Sequence, residues 1–358
     1  MSEQVLVLDR AQTGAALEPG RVGAAAARAL TAIARGEVSS PPRIAARTPN
    51  GLLGAMPGHV PGLGLAAKLI TVFADPDRPG RSTHQGVVAL FDEDDGRLLA
   101  LMDAEPLTAV RTAVTATLAL RALARPGSSR VAVIGTGTQA AAQLAQLNRI
   151  ARFGQLGRPD RPVEAGAPAH GPLAVGVAGR DPASVRRLAD RYGVTPAVSI
   201  EAAVRAADVV LCCTGAREPV VRREWLSPGT HVSSVGGSDG AELDAQTIRD
   251  ALLFAEWPGA VTAPPPAGAH ELQGLPADGV TLLGAVLAGD SPGRSEPGQL
   301  TVFKSTGHAA LDVAAASVVH AVARERGLGT TLDWSGAEPQ EPGGSRAGAR
   351  PAGPYSPR

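Results

Sequence analysis

The sequence predicts an α/β protein in which a doubly wound parallel sheet of the Rossmann type is joined to a second, α+β domain. From residue 131 onward, strand-like apolar runs alternate with helical patterns, which is typical of a parallel sheet. Before residue 105, strand-like runs follow one another, with a hairpin turn between two of them. A chain of 358 residues also exceeds the roughly 250–300 residues at which a single hydrophobic core usually divides.

The composition argues against several classes of protein. The formal net charge is zero, so the chain lacks the basic surface of a nucleic-acid-binding protein. The N-terminal stretch MSEQVLVLDR does not have the pattern of a signal peptide, and no apolar run reaches the ~18 residues that a membrane span needs. We therefore expect a cytoplasmic protein without nucleic-acid, membrane or metal partners, which binds small molecules or further copies of itself.

The two cysteines, Cys212 and Cys213, are adjacent in a strand-like run. Neighbouring strand residues point to opposite faces of a sheet and pair poorly in a disulfide. We expect both thiols to be buried and reduced.

The N-terminal third predicts a strand at residues 5–8, a helix at 19–36 and then several strands. The helix has Val22, Ala26, Leu30 and Ile33 at helical spacing, so it should pack on a sheet. The predicted strands are LGAMPG, LAAKLITVF and the two halves of QGVVALFDEDDGRLLALMD, which an Asp-Gly turn joins. A long helical pattern begins at Pro106.

The C-terminal part predicts a final helix and a tail. The helix LDVAAASVVHAVARERGLG should end at Gly327. The tail of residues 335–358 is polar and rich in proline and glycine, so it is predicted to be disordered. Residues 154–171 form a longer connection than a Rossmann helix usually needs before its next strand, and we interpret them as a surface insertion.

The stretch VAVIGTGTQAAAQLAQL predicts a dinucleotide-binding turn. Gly135 would permit the tight turn, Gly137 the close approach of a pyrophosphate, and Ala140 the packing of helix on strand. The N-terminus of the following helix supplies N–H groups that are not paired within the helix. Because a strand precedes the turn and further βα units follow it, the pattern is specific.

The end of the next strand bears on the choice of cofactor. NAD sites usually have an acidic residue there that binds the ribose, whereas an arginine suits the 2′-phosphate of NADP. Arg180 comes first in VAGRD, which favours NADP and a preference for NADPH over NADH. The alternative is that Arg180 is a solvated charge and Asp181 holds the ribose.

These motifs resemble those of the ornithine cyclodeaminase/mu-crystallin family, from about residue 5 to residue 328. The resemblance is carried by MPG, AAKLITVF, LTAVRTA, GTGTQA, VSSVGG and TVFKSTGHAALD. It implies a homodimer with a nicotinamide pocket between two domains. Residues 1–110 with 305–330 would form a substrate-binding and dimerisation domain, and residues 111–304 the Rossmann domain.

The resemblance also implies a substrate-carboxylate clamp. Lys68 and Arg111 match the family's clamp, and a guanidinium and an ammonium suit an α-carboxylate. Arg43 is similar in position to a further family arginine, although Arg47 competes for that role. Met56 of the MPG motif and Thr306 are placed beside the substrate.

On the cofactor side, the residues that match family positions are Thr83, Thr138, Gln139, Thr214 and Ser305. Thr83 would contact the nicotinamide, while Thr138 and Gln139 open the phosphate helix. His84 and His308 are candidates for acid–base chemistry, because histidine titrates near neutrality, or else they are packing residues.

The stretch SVGGSDGAELD separates two activities within the family. Cyclodeaminases have an aspartate in the register that Ser238 occupies here, and Asp239 comes one residue later. Serine there is similar to the ketimine reductase branch, so we expect NAD(P)H-dependent reduction of a cyclic α-imino acid, with Asp239 assisting at the iminium. Alternatives are an ornithine cyclodeaminase that uses Asp239, an alanine dehydrogenase, and a non-catalytic NADPH-dependent binding protein.

Overall fold

The computed structural model describes residues 4–73, 84–153, 173–237 and 240–335. The predictions for Thr83, Ser238, Asp239, the insertion at 154–171 and the tail from residue 336 lie outside these ranges, as does the side chain of His84.

The described ranges form two sheets with helices packed against them. The strands are β1 (Gln4–Leu8), β2 (Ile44–Thr48), β3 (Gly51–Val60), β4 (Gly64–Phe73), β5 (His84–Phe91), β6 (Leu98–Asp103), β7 (Arg130–Ile134), β8 (Ala174–Ala178), β9 (Thr195–Pro196), β10 (Val209–Cys212), β11 (His231–Ser234), β12 (Leu252–Ala255), β13 (Thr281–Leu282), β14 (Thr301–Lys304) and β15 (Thr330–Asp333). The α-helices are α1 (Arg10–Ala16), α2 (Pro19–Ala34), α3 (Ala104–Leu123), α4 (Thr138–Phe153), α5 (Pro182–Tyr192), α6 (Ile200–Arg205), α7 (Ala245–Asp250), α8 (Gly259–Thr262), α9 (Leu283–Ala288) and α10 (Ala309–Arg326).

The first sheet has the order β15-β1-β6-β5-β4-β3-β2. Its neighbours are antiparallel except for the parallel pair β1 and β6. Helix α10 packs on β3, β4 and β5, and α2 packs on α3 and α10. Met56 and Lys68 are direct partners across β3 and β4, so their side chains share the buried face of the sheet.

The second sheet is parallel throughout and has the order β13-β12-β14-β11-β10-β7-β8-β9. Val131 and Val133 of β7 lie in one apolar cluster, while Ala132 and Ile134 lie in another. Both faces of the strand are therefore covered, which confirms the doubly wound fold. The strand order reverses between β7 and β10, and ligands of such sheets bind at the carboxyl ends near this point.

The two sheets are connected by α3 and by the segment from β14 to α10. The core of the first sheet includes Phe254 and Phe303 from strands of the parallel sheet. Strand β15 belongs to the first sheet, although it lies at and beyond the predicted boundary at residue 330. The chain therefore passes twice between the two sheets, through a region that is packed with apolar side chains.

Two edge strands were missing from the sequence prediction. Every residue of β2 and of β15 is exposed. A strand without a buried face has no apolar alternation, which is the signal on which strand prediction depends. The short helix α1 was also not predicted; Asp9 and Gln12 close its first turn in a capping box.

The thiols of Cys212 and Cys213 are buried and unpaired, as predicted. Burial raises the pKa of both well above its usual value. None of the helices in the described ranges is long and apolar enough to cross a bilayer. The same ranges contain no group of three His, Cys, Asp or Glu side chains that could hold a metal ion.

We expect acid to destabilise the fold through His231, whose buried ring lies 2.9 Å from the hydroxyls of both Thr301 and Ser233. Burial, aided by the charge of Arg294, lowers its pKa from 6.5 to about 3. As the pH falls, the unfolded chain therefore binds the proton first. The contribution of His231 to the free energy of unfolding is full above about pH 6.5 and falls by about 1.4 kcal/mol per pH unit toward pH 3.

Urea unfolding between about pH 7 and pH 5 tests this linkage. His231→Gln keeps a polar side chain but does not titrate, so the stability of the variant should depend less steeply on pH. An unchanged slope would contradict the prediction.

Candidate active site

The phosphate turn lies between β7 and α4, at the carboxyl edge of the parallel sheet. Gly135 has φ +126°, and a Cβ there would lie 2.5 Å from the carbonyl oxygen of Cys213. A Cβ on Gly137 would meet no atom within 4 Å, so this side of the turn is open. Ala140 is fully buried against the strand. The turn therefore has the shape that a dinucleotide pyrophosphate requires.

The first turn of α4 supports the same assignment. Thr138 is exposed at its start. The buried Oε1 of Gln139 has no hydrogen-bond partner among the described residues. An exposed threonine at the open N-terminus of a helix fits an anion-binding turn.

The residues after β8 have different roles. Asp181 accepts hydrogen bonds from the backbone N–H groups of Ala183 and Ser184 and from the Ser184 hydroxyl, so it caps α5. These bonds lower the pKa of Asp181, with the Ser184 hydroxyl as the largest cause. Arg180 is exposed and forms no ion pair within the described residues. Asp181 is exposed as well but is engaged by the helix cap, so the two residues differ in their partners and not in their exposure.

A buried ion cluster joins the two halves of the molecule. Lys68 Nζ lies 2.8 Å from Asp312 Oδ2, and Arg111 Nε lies 3.2 Å from Asp312 Oδ1. The three side chains come from β4, α3 and the first turn of α10, and each is at most 6% exposed. Two cations share one carboxylate, so the three side chains together have one formal positive charge.

The cluster has opposing electrostatic contributions. Burial lowers the pKa of Lys68, while the charge of Asp312 raises it and that of Arg111 lowers it. For Asp312, burial raises the pKa, but the charges of Lys68 and Arg111 and their hydrogen bonds lower it below its usual value. The cluster is stable only because each charge has a close partner.

Arg43, directly before β2, reaches the same region. Its Nη2 donates to the carbonyl oxygens of Thr306 (3.1 Å) and Gly307 (2.9 Å). Gly307 has φ +78°, and a Cβ there would lie 3.0 Å from Arg111 Nη2. Arg47, the competing candidate, is exposed on β2. Arg43, and not Arg47, therefore lies beside the cluster of Lys68, Arg111 and Asp312.

Three of the predicted site residues, Ser305, Thr306 and His308, lie in the segment that follows β14. The residues that they contact were not predicted from the sequence. Ser305 donates to Glu256 rather than facing an open site, and Thr306 Oγ1 accepts from Trp257 Nε1 at 2.9 Å. The His308 ring packs 5.1 Å from Trp257. An acidic residue directly after an apolar run could have signalled Glu256, because carboxyl ends of parallel strands carry functional groups.

His308 also caps α10, since its Nδ1 accepts from Ala310 N at 3.3 Å. Burial lowers its pKa to about 4; the charge of Asp312 opposes this, and those of Arg43 and Arg111 add to it. The ring is therefore neutral near pH 7, with one nitrogen used by the helix.

A second buried network holds the loops after β10 and β11. The carboxylate of Glu242 accepts from the backbone N–H and hydroxyl of Thr214, from Ser234 Oγ and from Gly236 N. Lys304 donates to Ser234 Oγ and to the carbonyl of Gly236, and its Nζ lies 2.9 Å from Glu271. The predicted residue Thr214 is thus fixed by Glu242. Neither Glu242 nor Lys304 was predicted as part of the site.

The structure is thus an α/β protein in which a parallel sheet carries a glycine turn of the dinucleotide-binding type, and a buried cluster of Lys68, Arg111 and Asp312 lies beside the turn after β14. The chain belongs to the ornithine cyclodeaminase/mu-crystallin family, whose model matches residues 4–168 and 174–327.

Two relatives and one solved structure illustrate the similarity. The chain is 33% identical to the ketimine reductase mu-crystallin of Mus musculus over 273 residues, which are 75% of this chain and 80% of the relative. It is 34% identical to the Δ1-pyrroline-2-carboxylate reductase of Paracoccus denitrificans over 284 residues, 76% and 83% of the two chains. The Thermococcus litoralis Δ1-pyrroline-2-carboxylate reductase, solved with NADH and L-proline, superposes with a TM-score of 0.77 at 25% identity and covers 91% of this chain and 99% of its own.

We expect Asp312→Asn to destabilise the protein by about 3–5 kcal/mol, because it leaves two buried cations without their shared partner. Urea unfolding of the variant and of the unchanged protein would measure this loss. Asp95→Asn is a matched control, since the Asp95–Arg97 pair is largely exposed and such pairs contribute little. Equal stability of the Asp312 variant and the control would contradict the assignment of a buried ion cluster.

Proposed function

We propose that the protein reduces a cyclic α-imino acid of the Δ1-pyrroline-2-carboxylate or Δ1-piperideine-2-carboxylate type to the saturated cyclic amino acid, with NAD(P)H as reductant. The observation that carries this proposal is the buried cluster of Lys68 and Arg111 on one carboxylate. It lies against the turn after β14, and therefore at the carboxyl edge of the sheet where the dinucleotide turn also lies.

The residues of the chain act mainly by positioning. Arg111 offers a planar fork and Lys68 a point charge to the α-carboxylate of the substrate, and Arg43 stands beside them. Met56, on the same face of the sheet as Lys68, contributes an apolar contact for the ring. Holding the carboxylate fixes the adjacent C=N carbon, and such orientation can lower a barrier substantially.

The turn at Gly135 and Gly137 and the start of α4 would hold NAD(P)H, which when bound would supply the hydride for the C=N carbon. The protonated imine becomes a secondary amine in this step, so the reduction itself requires no additional proton donor. This fits a neutral His308, whose Nδ1 already caps a helix.

The choice of reductase over cyclodeaminase is supported by Ser238, which stands where cyclodeaminases have aspartate. It is also supported by the two relatives named above, both of which are reductases. Asp239, one residue later, favours ornithine cyclodeaminase as a second candidate. That activity would release ammonia from ornithine and recycle NAD, whereas the reductase consumes reduced cofactor.

We further propose that the protein is a homodimer. The outer face of the first sheet exposes apolar side chains, which are Ile44, Leu53, Leu65, Leu69 and Phe73. A contiguous apolar sheet face of this kind is typical of a surface that pairs with a second copy.

The first test is reduction of each cyclic imine, followed by the loss of NADPH absorbance, beside an assay for ammonia from ornithine with NAD. In the same assay, Arg111→Ala should lower kcat/KM about thirtyfold to a thousandfold, since a lost charged contact costs on the order of 2–4 kcal/mol. Part of the loss should be in kcat, because the imine carbon is no longer held in place.

Arg111→Lys, which keeps the charge but not the fork, should lose less. NADPH affinity, measured by direct titration, should change little in either variant. Intact imine reduction by Arg111→Ala, or a loss explained wholly by NADPH binding, would refute the clamp assignment.

We also propose that Arg180 binds the 2′-phosphate, so that NADPH is preferred over NADH. Arg180→Ala should weaken NADPH binding about tenfold or more, the equivalent of one charge-assisted hydrogen bond. NADH binding should be unaffected. Fluorescence titration of the dissociation constants checks this without turnover, and Arg186→Ala, on the exposed side of α5, is the matched control. Equal losses for both cofactors would show that Arg180 does not contact the phosphate.

A further inference from the structure

The turn of residues 305–307 is held from two sides. It carries the chain from β14 of the parallel sheet to α10, which packs on the first sheet. Glu256, fully buried directly after β12, lies on one side. Arg43, from the first sheet's side of the junction, lies on the other. Each domain thus contributes one charged residue to the same turn.

Glu256 binds the donor side of the turn. Its Oε2 accepts from Ser305 Oγ and its Oε1 from the backbone N–H of Thr306, each at 3.0 Å. Burial raises the pKa of Glu256, while the charge of Arg111 and the hydrogen bonds of Ser305, Gly307 and Thr306 lower it. The hydroxyl of Ser305 and the backbone N–H of Thr306 therefore hold this carboxylate.

Arg43 binds the acceptor side. The carbonyls of Thr306 and Gly307 both receive hydrogen bonds from its Nη2. Thr306 thus donates its backbone N–H to Glu256 and accepts from Arg43 at its backbone C=O. A displacement of Thr306 would disturb both contacts together.

The contacts leave Arg43 able to bind an anion. Both use Nη2, so Nε–H and Nη1 are not engaged within the described residues. The hydrogen-bond partners are neutral carbonyl groups, and the charge of Glu256 on the other side of the turn also favours the charged guanidinium. Trp257 Nε1, at 2.9 Å from Thr306 Oγ1, ties the same residue to the segment that carries Glu256.

We propose that Glu256 is a positioning residue: through the turn at 305–307 it orients Arg43, and thereby sets the affinity for the carboxylate of the substrate. The inference rests on the proposed function, because it takes Arg43 to be part of the carboxylate clamp. Glu256 itself touches no substrate in this scheme.

The test is a double-mutant cycle of Glu256→Leu and Arg43→Met, with Δ1-pyrroline-2-carboxylate as substrate. Leucine removes both acceptors. Glu256→Leu should raise KM about tenfold, comparable to one weakened charge-assisted contact, and change kcat less than about threefold. In the Arg43→Met background it should raise KM much less, because the residue through which the turn acts is gone and only the charge interaction of Glu256 with Arg111 remains. Affinity for NADPH should be unchanged throughout.

Two further variants separate positioning from general stability. Glu256→Gln keeps an acceptor for the backbone and a group that can bond Ser305, so it should restore most of the KM. Asp208→Asn removes charge from an equally well-bonded carboxylate at the opposite edge of the sheet, and should lower the melting temperature without changing KM. Should Glu256→Leu not fold, Glu256→Asp, with a carboxylate one methylene shorter, takes its place.

Direct titration with pyrrole-2-carboxylate in the presence of NADPH distinguishes a failure of the proposed function from a failure of the role of Glu256. A wild-type protein that neither reduces the imine nor binds this anion would overturn the proposed function and the inference with it. If wild-type protein binds and reduces, but Glu256→Leu raises KM equally with and without Arg43, the role of Glu256 falls while the proposed function stands.

Discussion

The contact of Asp312 with Lys68 and Arg111 is the interaction on which the rest of the site depends. Removing charged groups from water costs several kcal/mol per ion, and only close opposite charges offset this cost. Here one carboxylate on α10 accommodates cations from β4 and α3 at 2.8 and 3.2 Å. Since neither cation can be buried without the carboxylate, the spacing of these three elements is fixed by electrostatics as well as by apolar packing.

The geometry of the same cluster depends on how the two sheets are arranged. Helix α3 carries the chain from the first sheet to the parallel sheet, and the turn at 305–307 carries it back. Arg111 on the first crossing lies against Gly307 on the second, where a Cβ would come within 3.0 Å of its guanidinium. A change in the angle between the domains would move these crossings relative to each other and expose or unpair buried charge. The relative orientation of the two sheets and the geometry of the Lys68–Arg111–Asp312 cluster are therefore determined together.

The parallel sheet could be predicted from the sequence because its strands are buried on both faces and alternate with amphipathic helices. Gly135 and Arg111 stand within recognisable local motifs. The exposed edge strands have no such pattern, and no short-range signal links Lys68 to Asp312 or Glu256 to the turn after β14. These pairs are far apart in the chain and meet only through the order of the strands. The sequence could therefore predict the separate charges but not the partners that hold them.

The distribution of buried charge distinguishes the two edges of the parallel sheet. At the amino edge, the carboxylate of Asp208 accepts hydrogen bonds from Arg125, Arg130 and backbone N–H groups. At the carboxyl edge, Lys304 and Glu242 hold the carbonyl and the N–H of Gly236, respectively. Buried ionic networks often stabilise less than apolar residues of equal volume, so their concentration at the ligand-binding edge is best explained by the loops that they hold. The loop after β11 is fixed in this way at Gly236. The ionic network thus fixes the backbone of Gly236 at the edge of the parallel sheet where ligands bind.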